Sequence, residues 1–106
     1  MSALKELNES NFDAEIRNGT VLVDFWAAWC GPCRMQTPIL ESVDRKIGST
    51  VKICKLNVDD SPNVAARFGI QSIPTILIFK DGRLVQTLVG LQSEAALISI
   101  VEALSQ

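Results

Sequence analysis

A dense apolar signal runs from Val21 to Ala27, where six of seven residues are apolar or aromatic and Asp24 alone interrupts. A run that continuous reads as a strand covered on both faces rather than one with a wet side. Ahead of it, Ala3 to Leu7 is a weaker strand signal. Ser10-Asn11-Phe12-Asp13 then has the Ser-x-x-Asp form of a helix start, with Phe12 and Ile16 on one face and Asn18-Gly19 as the stop. After the buried run, Met35, Ile39, Val43 and Ile47 repeat every four residues and define the apolar face of a helix. Pro32 suits that helix's first turn, so it begins at or just after Cys30; Pro38 predicts a kink and Gly48 the end.

In the second half, Val51 to Val58 alternates as a strand, with Val51, Ile53, Lys55 and Asn57 on one side and Cys54, Leu56 and Val58 on the other. Asp59-Asp60-Ser61-Pro62 is a turn, Asn63 to Phe68 a short helix stopped by Gly69, and Ile70 to Pro74 a connecting loop. Thr75 to Phe79 is apolar throughout, and Asp81-Gly82 before Leu84 signals a tight hairpin between antiparallel neighbours. Val89-Gly90-Leu91 reads as a loop. Ser93 then opens a last helix with Ala96, Leu97, Ile100, Val101 and Leu104 as its buried stripe. The order is α/β, with helices available for both faces of one mixed sheet; the order of strands within it is not specified.

At 106 residues the chain is read as one domain, 1–106, with room for a single core. Net charge is −2 and the ten basic residues are scattered, which argues against nucleic acid and anionic membrane as partners. No apolar run approaches the length of a membrane span, and Met1 to Leu7 lacks the extended apolar core of a secretory leader. A cytoplasmic setting is expected, with plastid stroma as the alternative for a mature chain.

Three cysteines in such a setting fit redox chemistry better than a disulfide framework. Cys30 and Cys33 flank Gly31-Pro32 at the predicted helix start. There, unpaired backbone N–H groups and the positive end of the helix dipole favour an anion, making Cys30 the expected nucleophile. Cys33, one turn deeper on the same side, is the expected resolving thiol. A loop this short gives a disulfide little value as a staple. Zinc is disfavoured because there is no histidine and no second cysteine pair to complete four ligands. Cys54, within an apolar strand, reads as a small core hydrophobe. Trp26 reads as packing, Trp29 as exposed contact surface. Asp24 is either a solvent-facing acid on an edge strand or a buried acid whose pKa is raised by desolvation and which moves the Cys33 proton.

Trp29-Cys30-Gly31-Pro32-Cys33, preceded by Asp24-Phe25-Trp26 and followed by Ser72-Ile73-Pro74-Thr75, resembles the thioredoxins over essentially the whole chain. The resemblance implies a thioredoxin-like fold, a central mixed β-sheet of about five strands flanked by about four helices, with the dithiol at the carboxyl end of a central strand. It implies reduction of protein disulfides by Cys30 and Cys33, with no bound cofactor and the Cys30–Cys33 pair itself as the redox group. Asp24 would be the buried acid beneath the dithiol, its ionisation moderated by Lys55. Gly31 and Pro32 would shape the active-site turn. Pro74 would follow a cis bond, which sequence alone does not predict, leaving the Ile73 backbone to pair with an extended substrate segment by strand addition. Trp29, Pro32, Val89, Gly90 and Leu91 would complete an apolar docking collar. The implied partners of this expected monomer are a thioredoxin reductase and clients such as ribonucleotide reductase, peroxiredoxin and methionine sulfoxide reductase. Ala28 and Gln71-Ser72 depart from the commonest family pattern and bear on partner preference. Two other readings are a disulfide oxidant or isomerase, opposed by the Gly-Pro pair and the missing leader, and a binding subunit whose dithiol only keeps a surface folded.

Overall fold

The computed structural model describes residues 4–105, so Ala3, at the start of the first expected strand, and the outer ends of the 1–106 domain lie outside the described residues. In chain order the elements are β1 (Lys5–Leu7), α1 (Phe12–Ile16), β2 (Thr20–Trp26), α2 (Gly31–Ile47), β3 (Lys52–Asn57), α3 (Pro62–Arg67), β4 (Thr75–Lys80), β5 (Arg83–Val89) and α4 (Glu94–Leu104). Within the described residues they form the expected mixed sheet of five strands with four helices. The strand order is β1-β3-β2-β4-β5, with β1, β3 and β2 parallel and β4 and β5 antiparallel to their neighbours.

The apolar run at Val21 earns its reading here. Val21, Leu22, Val23 and Phe25 are each 0% exposed because β2 is central and its two faces feed separate cores. Val21, Val23 and Phe25 join Phe12, Ile16, Val64 and Ala65 on the α1 and α3 side. Leu22 joins Leu40, Val43, Leu97 and Val101 on the α2 and α4 side. Strand alternation makes that division automatic. The first core is aromatic, with Phe12, Phe68 and Phe79 meeting at centroid distances of 5.5–5.7 Å in tilted or edge-on geometry. In β3, Cys54 and Leu56 face the first core and Ile53 the second, as the alternation from Val51 to Val58 requires.

The Asp81-Gly82 hairpin is present, with both residues at positive φ (51° and 85°), the backbone of a primed turn whose twist matches the flanking strands. Ser93 caps α4 by accepting the Ala96 N–H at 3.1 Å.

Four local expectations need correction. The N-cap of α1 is Asn11, not Ser10, and its side chain makes no capping bond. Instead Asn8 Oδ1 accepts the N–H groups of Ser10 and Asn11 at 2.9 and 3.0 Å, an upstream turn that competes with the expected cap. The buried face of α2 is Cys33, Gln36, Leu40 and Val43; Met35 is 59% exposed, and Ile39 and Ile47 are only half-buried. Spacing alone admits both stripes, and polarity favoured the wrong one by excluding Gln36. Val89 is the last residue of β5, paired with Thr75, rather than part of a loop. In α4, Leu97 and Val101 are buried, whereas Ala96, Ile100 and Leu104 are half-buried at the stripe's margin. The helix α2 runs through Pro38, which offers no N–H to the carbonyl of Arg34.

Leu40, 0% exposed beneath α2, and Leu84, 45% exposed on the edge strand β5, test this division of the core. Leu40→Ala is expected to destabilise by about 2–5 kcal/mol through lost burial and the cavity left behind. Leu84→Ala should stay within about 0.5 kcal/mol. Urea midpoints at constant m-value measure both, and equal losses would contradict the core as described.

Candidate active site

The chain leaves the carboxyl end of β2 at Trp26 and enters α2 at Gly31, so the dithiol sits where a central strand hands over to a helix. Cys30 is the N-cap of α2, with extended backbone (φ −93°, ψ 112°). Its Sγ accepts the backbone N–H of Cys33 at 3.3 Å, taking the place of the oxygen that normally satisfies an orphan donor in a first turn. Cys30 and Cys33 are joined as a disulfide with Cα atoms 5.3 Å apart, within the ordinary range for such a bond. Both cysteines are buried, Cys30 at 4% exposure and Cys33 at 1%. Both pack with Ala27, Trp26, Val58 and Ile73.

Gly31 and Pro32 occupy the first two positions of α2. A Cβ on Gly31 would meet nothing nearer than Arg34 Nη2 at 3.9 Å, so neither crowding nor backbone conformation requires glycine there. Arg34 donates through Nη1 to the Ala28 carbonyl at 2.9 Å, bracing the approach to Cys30 from a backbone atom that any residue at position 28 would supply.

Across the sheet, the Ile73–Pro74 bond is cis, and the Ile73 carbonyl oxygen lies 3.7 Å from Cys30 Sγ. The Pro74 carbonyl accepts the Gly90 N–H at 2.9 Å, joining this segment to the turn after β5. Gly90 holds φ +90° with open space around its Cα, so backbone conformation is what calls for glycine. Trp29 (69% exposed), Val89 (64%) and Leu91 (42%) leave apolar surface uncovered. Trp29 is held in place, its Nε1 donating to Asp59 Oδ2 at 2.8 Å.

Asp24 is 0% exposed, so the edge-strand alternative is ruled out. Neither carboxyl oxygen has a hydrogen-bond partner among the described residues. Alternation along β2 puts it with Leu22 on the face that α2 covers. Its register neighbours are Lys55 on β3 and Ile76 on β4. Burial pushes the Asp24 carboxyl up to about 7, against the opposing pull of the Lys55 ammonium and with a smaller push from Glu6. Lys55 is itself anchored, donating to Thr37 Oγ1 at 2.9 Å and lying 4.4 Å from the centre of the Trp26 ring. Cys54 is 0% exposed, and burial pushes its thiol up to about 11, which leaves it protonated and inert at neutral pH.

The sequence left unassigned Asp59, Thr37, Gln36 and Gln92. No sequence pattern marks the first two, whose roles arise from contacts between separate elements. Gln36 carried a faint signal as a polar residue three positions after Cys33 in an otherwise apolar stripe. No group of three or more His, Cys, Asp or Glu side chains among the described residues is arranged to hold a metal, nor is any helix there long and apolar enough to cross a membrane.

Residues 3–103 match the family model described as Thioredoxin. Thioredoxin of Listeria monocytogenes is 44% identical over 98 residues, covering 92% of this chain and 95% of its own length. Thioredoxin of Bacillus subtilis is 44% identical over 99 residues (93% and 95%), and thioredoxin of Porphyra purpurea 42% over 99 residues (92% and 92%). With a cysteine pair at disulfide distance on the mixed sheet just described, the chain belongs to the thioredoxin family: it is a thiol-disulfide oxidoreductase that passes electrons from a thioredoxin reductase to disulfide-bearing proteins on its own cysteine pair.

Proposed function

We propose that Cys30 is the attacking thiol, Cys33 the resolving thiol and Asp24 the proton acceptor of the second step. The observation that carries this is the N–H of Cys33 pointing at Cys30 Sγ at the head of a 17-residue helix. A donor and a positive dipole end aimed at one sulfur favour its thiolate. In the reduced protein the Cys30 thiolate attacks one sulfur of a client disulfide and displaces the other as a thiolate, giving a mixed disulfide. Cys33 then gives up its proton and attacks Cys30 Sγ, forming the internal disulfide and releasing the second client sulfur. Two electrons pass to the client.

A base is useful only at that second step, because the Cys33 thiol is buried at 1% exposure beyond easy reach of water. Asp24 suits the task. It lies on the face that α2 covers, its oxygens are unpartnered among the described residues, and its pKa of about 7 lets it change state near neutral pH. Clients dock against Trp29, Pro32, Val89, Gly90 and Leu91 while an extended segment pairs with the Ile73 backbone; Gly31 and Pro74 shape the turn and the segment facing it. Apolar side chains and backbone groups read little sequence, which accords with clients as different as ribonucleotide reductase, peroxiredoxin and methionine sulfoxide reductase. A cytoplasmic setting with a monomeric carrier completes this reading.

Role assignment is tested by trapping. Cys33→Ser should accumulate mixed disulfides through Cys30 when oxidised cell extract is passed over the reduced protein, whereas Cys30→Ser should accumulate few. Equal trapping by the two variants would overturn the order of attack.

The buried acid makes a prediction about pH. Its folded pKa of about 7 lies above the ordinary value of 3.8, so the folded protein holds the proton more tightly than the unfolded chain between those values. The contribution of Asp24 to stability therefore falls as pH rises through that window and is level on either side of it. Asp24→Asn keeps the shape without the charge, and should be more stable than the parent by about 2–4 kcal/mol above pH 7, with the gap closing below about pH 4. Its reduction of disulfides should slow chiefly at release of the mixed disulfide. Denaturant titrations from pH 4 to 9, beside single-turnover kinetics, check both; an Asn variant no more stable at pH 8 and equally fast would remove Asp24 from the mechanism.

A further inference from the structure

Gln36 is 0% exposed, one turn after Cys33 on the face of α2 that packs on the sheet. A primary amide there has to find partners for both of its ends, since an unmet buried amide is costly. Both partners belong to one residue outside the helix. Gln36 Oε1 accepts the Gln92 backbone N–H at 2.8 Å, and Gln36 Nε2 donates to the Gln92 carbonyl at 3.0 Å. The pairing is the two-bond pattern one strand offers another, made by a side chain. From the other side, the Gln92 side-chain amide donates to the carbonyls of Val89 and Gly90 at 3.4 and 3.2 Å, and Gly90 donates to the Pro74 carbonyl at 2.9 Å. The segment from Gly90 to Gln92, just after β5, is thus fastened at one end to the Ile73–Pro74 segment and at the other to the helix that carries the dithiol.

We infer that Gln36 is a positioning residue for client binding: its double hydrogen bond to Gln92 sets the height and orientation of the end of β5 and the turn after it, residues 89–91, relative to Cys30, so that a client touching the collar presents its disulfide to the sulfur. The inference rests on the proposed collar of Val89, Gly90 and Leu91. The side chain itself is buried beneath that surface and touches no client. Preorganisation of this kind acts on affinity, because a turn already held in its binding shape spares a client the cost of ordering it. A leucine at position 36 would fill a similar volume and leave the Gln92 N–H and carbonyl without their partner.

The experiment compares the parent, Gln36→Leu and Leu91→Ser as reductants of two disulfides, insulin and the small aromatic disulfide 5,5′-dithiobis(2-nitrobenzoic acid). The small disulfide reaches Cys30 without spanning the collar. Gln36→Leu should raise KM for insulin by about five- to tenfold with a smaller change in kcat, and lower kcat/KM for the small disulfide by less than about twofold. Amide hydrogen exchange reports on the clamp directly, with the Gln92 and Gly90 N–H groups exchanging faster in Gln36→Leu while those of β2 keep their protection. Leu91→Ser alters the collar without touching the clamp. A raised insulin KM in Leu91→Ser but not in Gln36→Leu would overturn the inference and leave the collar standing; no change in either would remove the collar itself. Equal losses on both disulfides in Gln36→Leu, or loss of β2 protection, would show a general structural role and overturn the inference as well.

Discussion

Cys30 stands where helices usually place serine, threonine or aspartate, and its sulfur takes the N–H that the first turn of α2 leaves over. The constraint has consequences in both directions along the chain. Upstream, the cap requires extended backbone at Cys30, which the chain reaches through a short turn from a central strand whose residues Val21, Leu22, Val23 and Phe25 are sealed from solvent. Downstream, it aims the dipole of a long helix at one sulfur and puts the second cysteine one turn inside. A capping oxygen would serve the helix equally well, so the cysteine at that position is explained by chemistry and not by folding.

The same face of the sheet carries an electrostatic cost that folding would do better without. Glu6, Lys55 and Asp24 are register neighbours across β1, β3 and β2, so their side chains lie in a row on one face. At the exposed end Glu6 meets water; at the buried end Asp24 has a completely covered carboxyl. Lys55 lies between them, spent partly on Thr37 and on the Trp26 ring. Its pull on Asp24 falls short of offsetting desolvation, which remains the largest influence on that carboxyl. A fully paired aspartate would be better for stability and useless near neutral pH for the proton-accepting role proposed for it.

Legibility in the sequence followed the range of the physics involved. The apolar run at Val21, the glycine and proline punctuation at Gly69 and Pro32, and the Asp81-Gly82 turn are set by residues within a few positions of one another, and each lies where local reasoning puts it. Fine boundaries failed where two local solutions compete, as at Asn8 and Ser10 ahead of α1. Much of the site was legible because the dithiol motif is compact: the cysteine pair, the acid six positions earlier and the Ile73–Pro74 segment are all visible in the chain. The strand order, the tether from Trp29 to Asp59 and the whole of the Gln36 contact are products of tertiary packing, between residues up to 56 positions apart. No periodicity encodes them.

Gln36 also shows why hydrophobic periodicity misplaces the buried face of α2. Hydrophobic periodicity assumes that a buried position is apolar because its neighbours are, and it ranks Met35 above a glutamine. That assumption fails where the neighbour is bare backbone. The turn after β5 presents an N–H and a carbonyl with no strand beside them, and an apolar side chain in that place would leave both unmet at a cost of about 1–3 kcal/mol each. An amide satisfies both at once, so burial and polarity cease to conflict. Met35 is then free to face solvent beside the dithiol, adding flexible apolar surface at an end of the molecule already uncovered at Trp29, Val89 and Leu91. One buried amide thus satisfies the backbone of the neighbouring turn from below and leaves apolar side chains uncovered above it, an arrangement that accords with the proposed docking of clients on this end of the molecule.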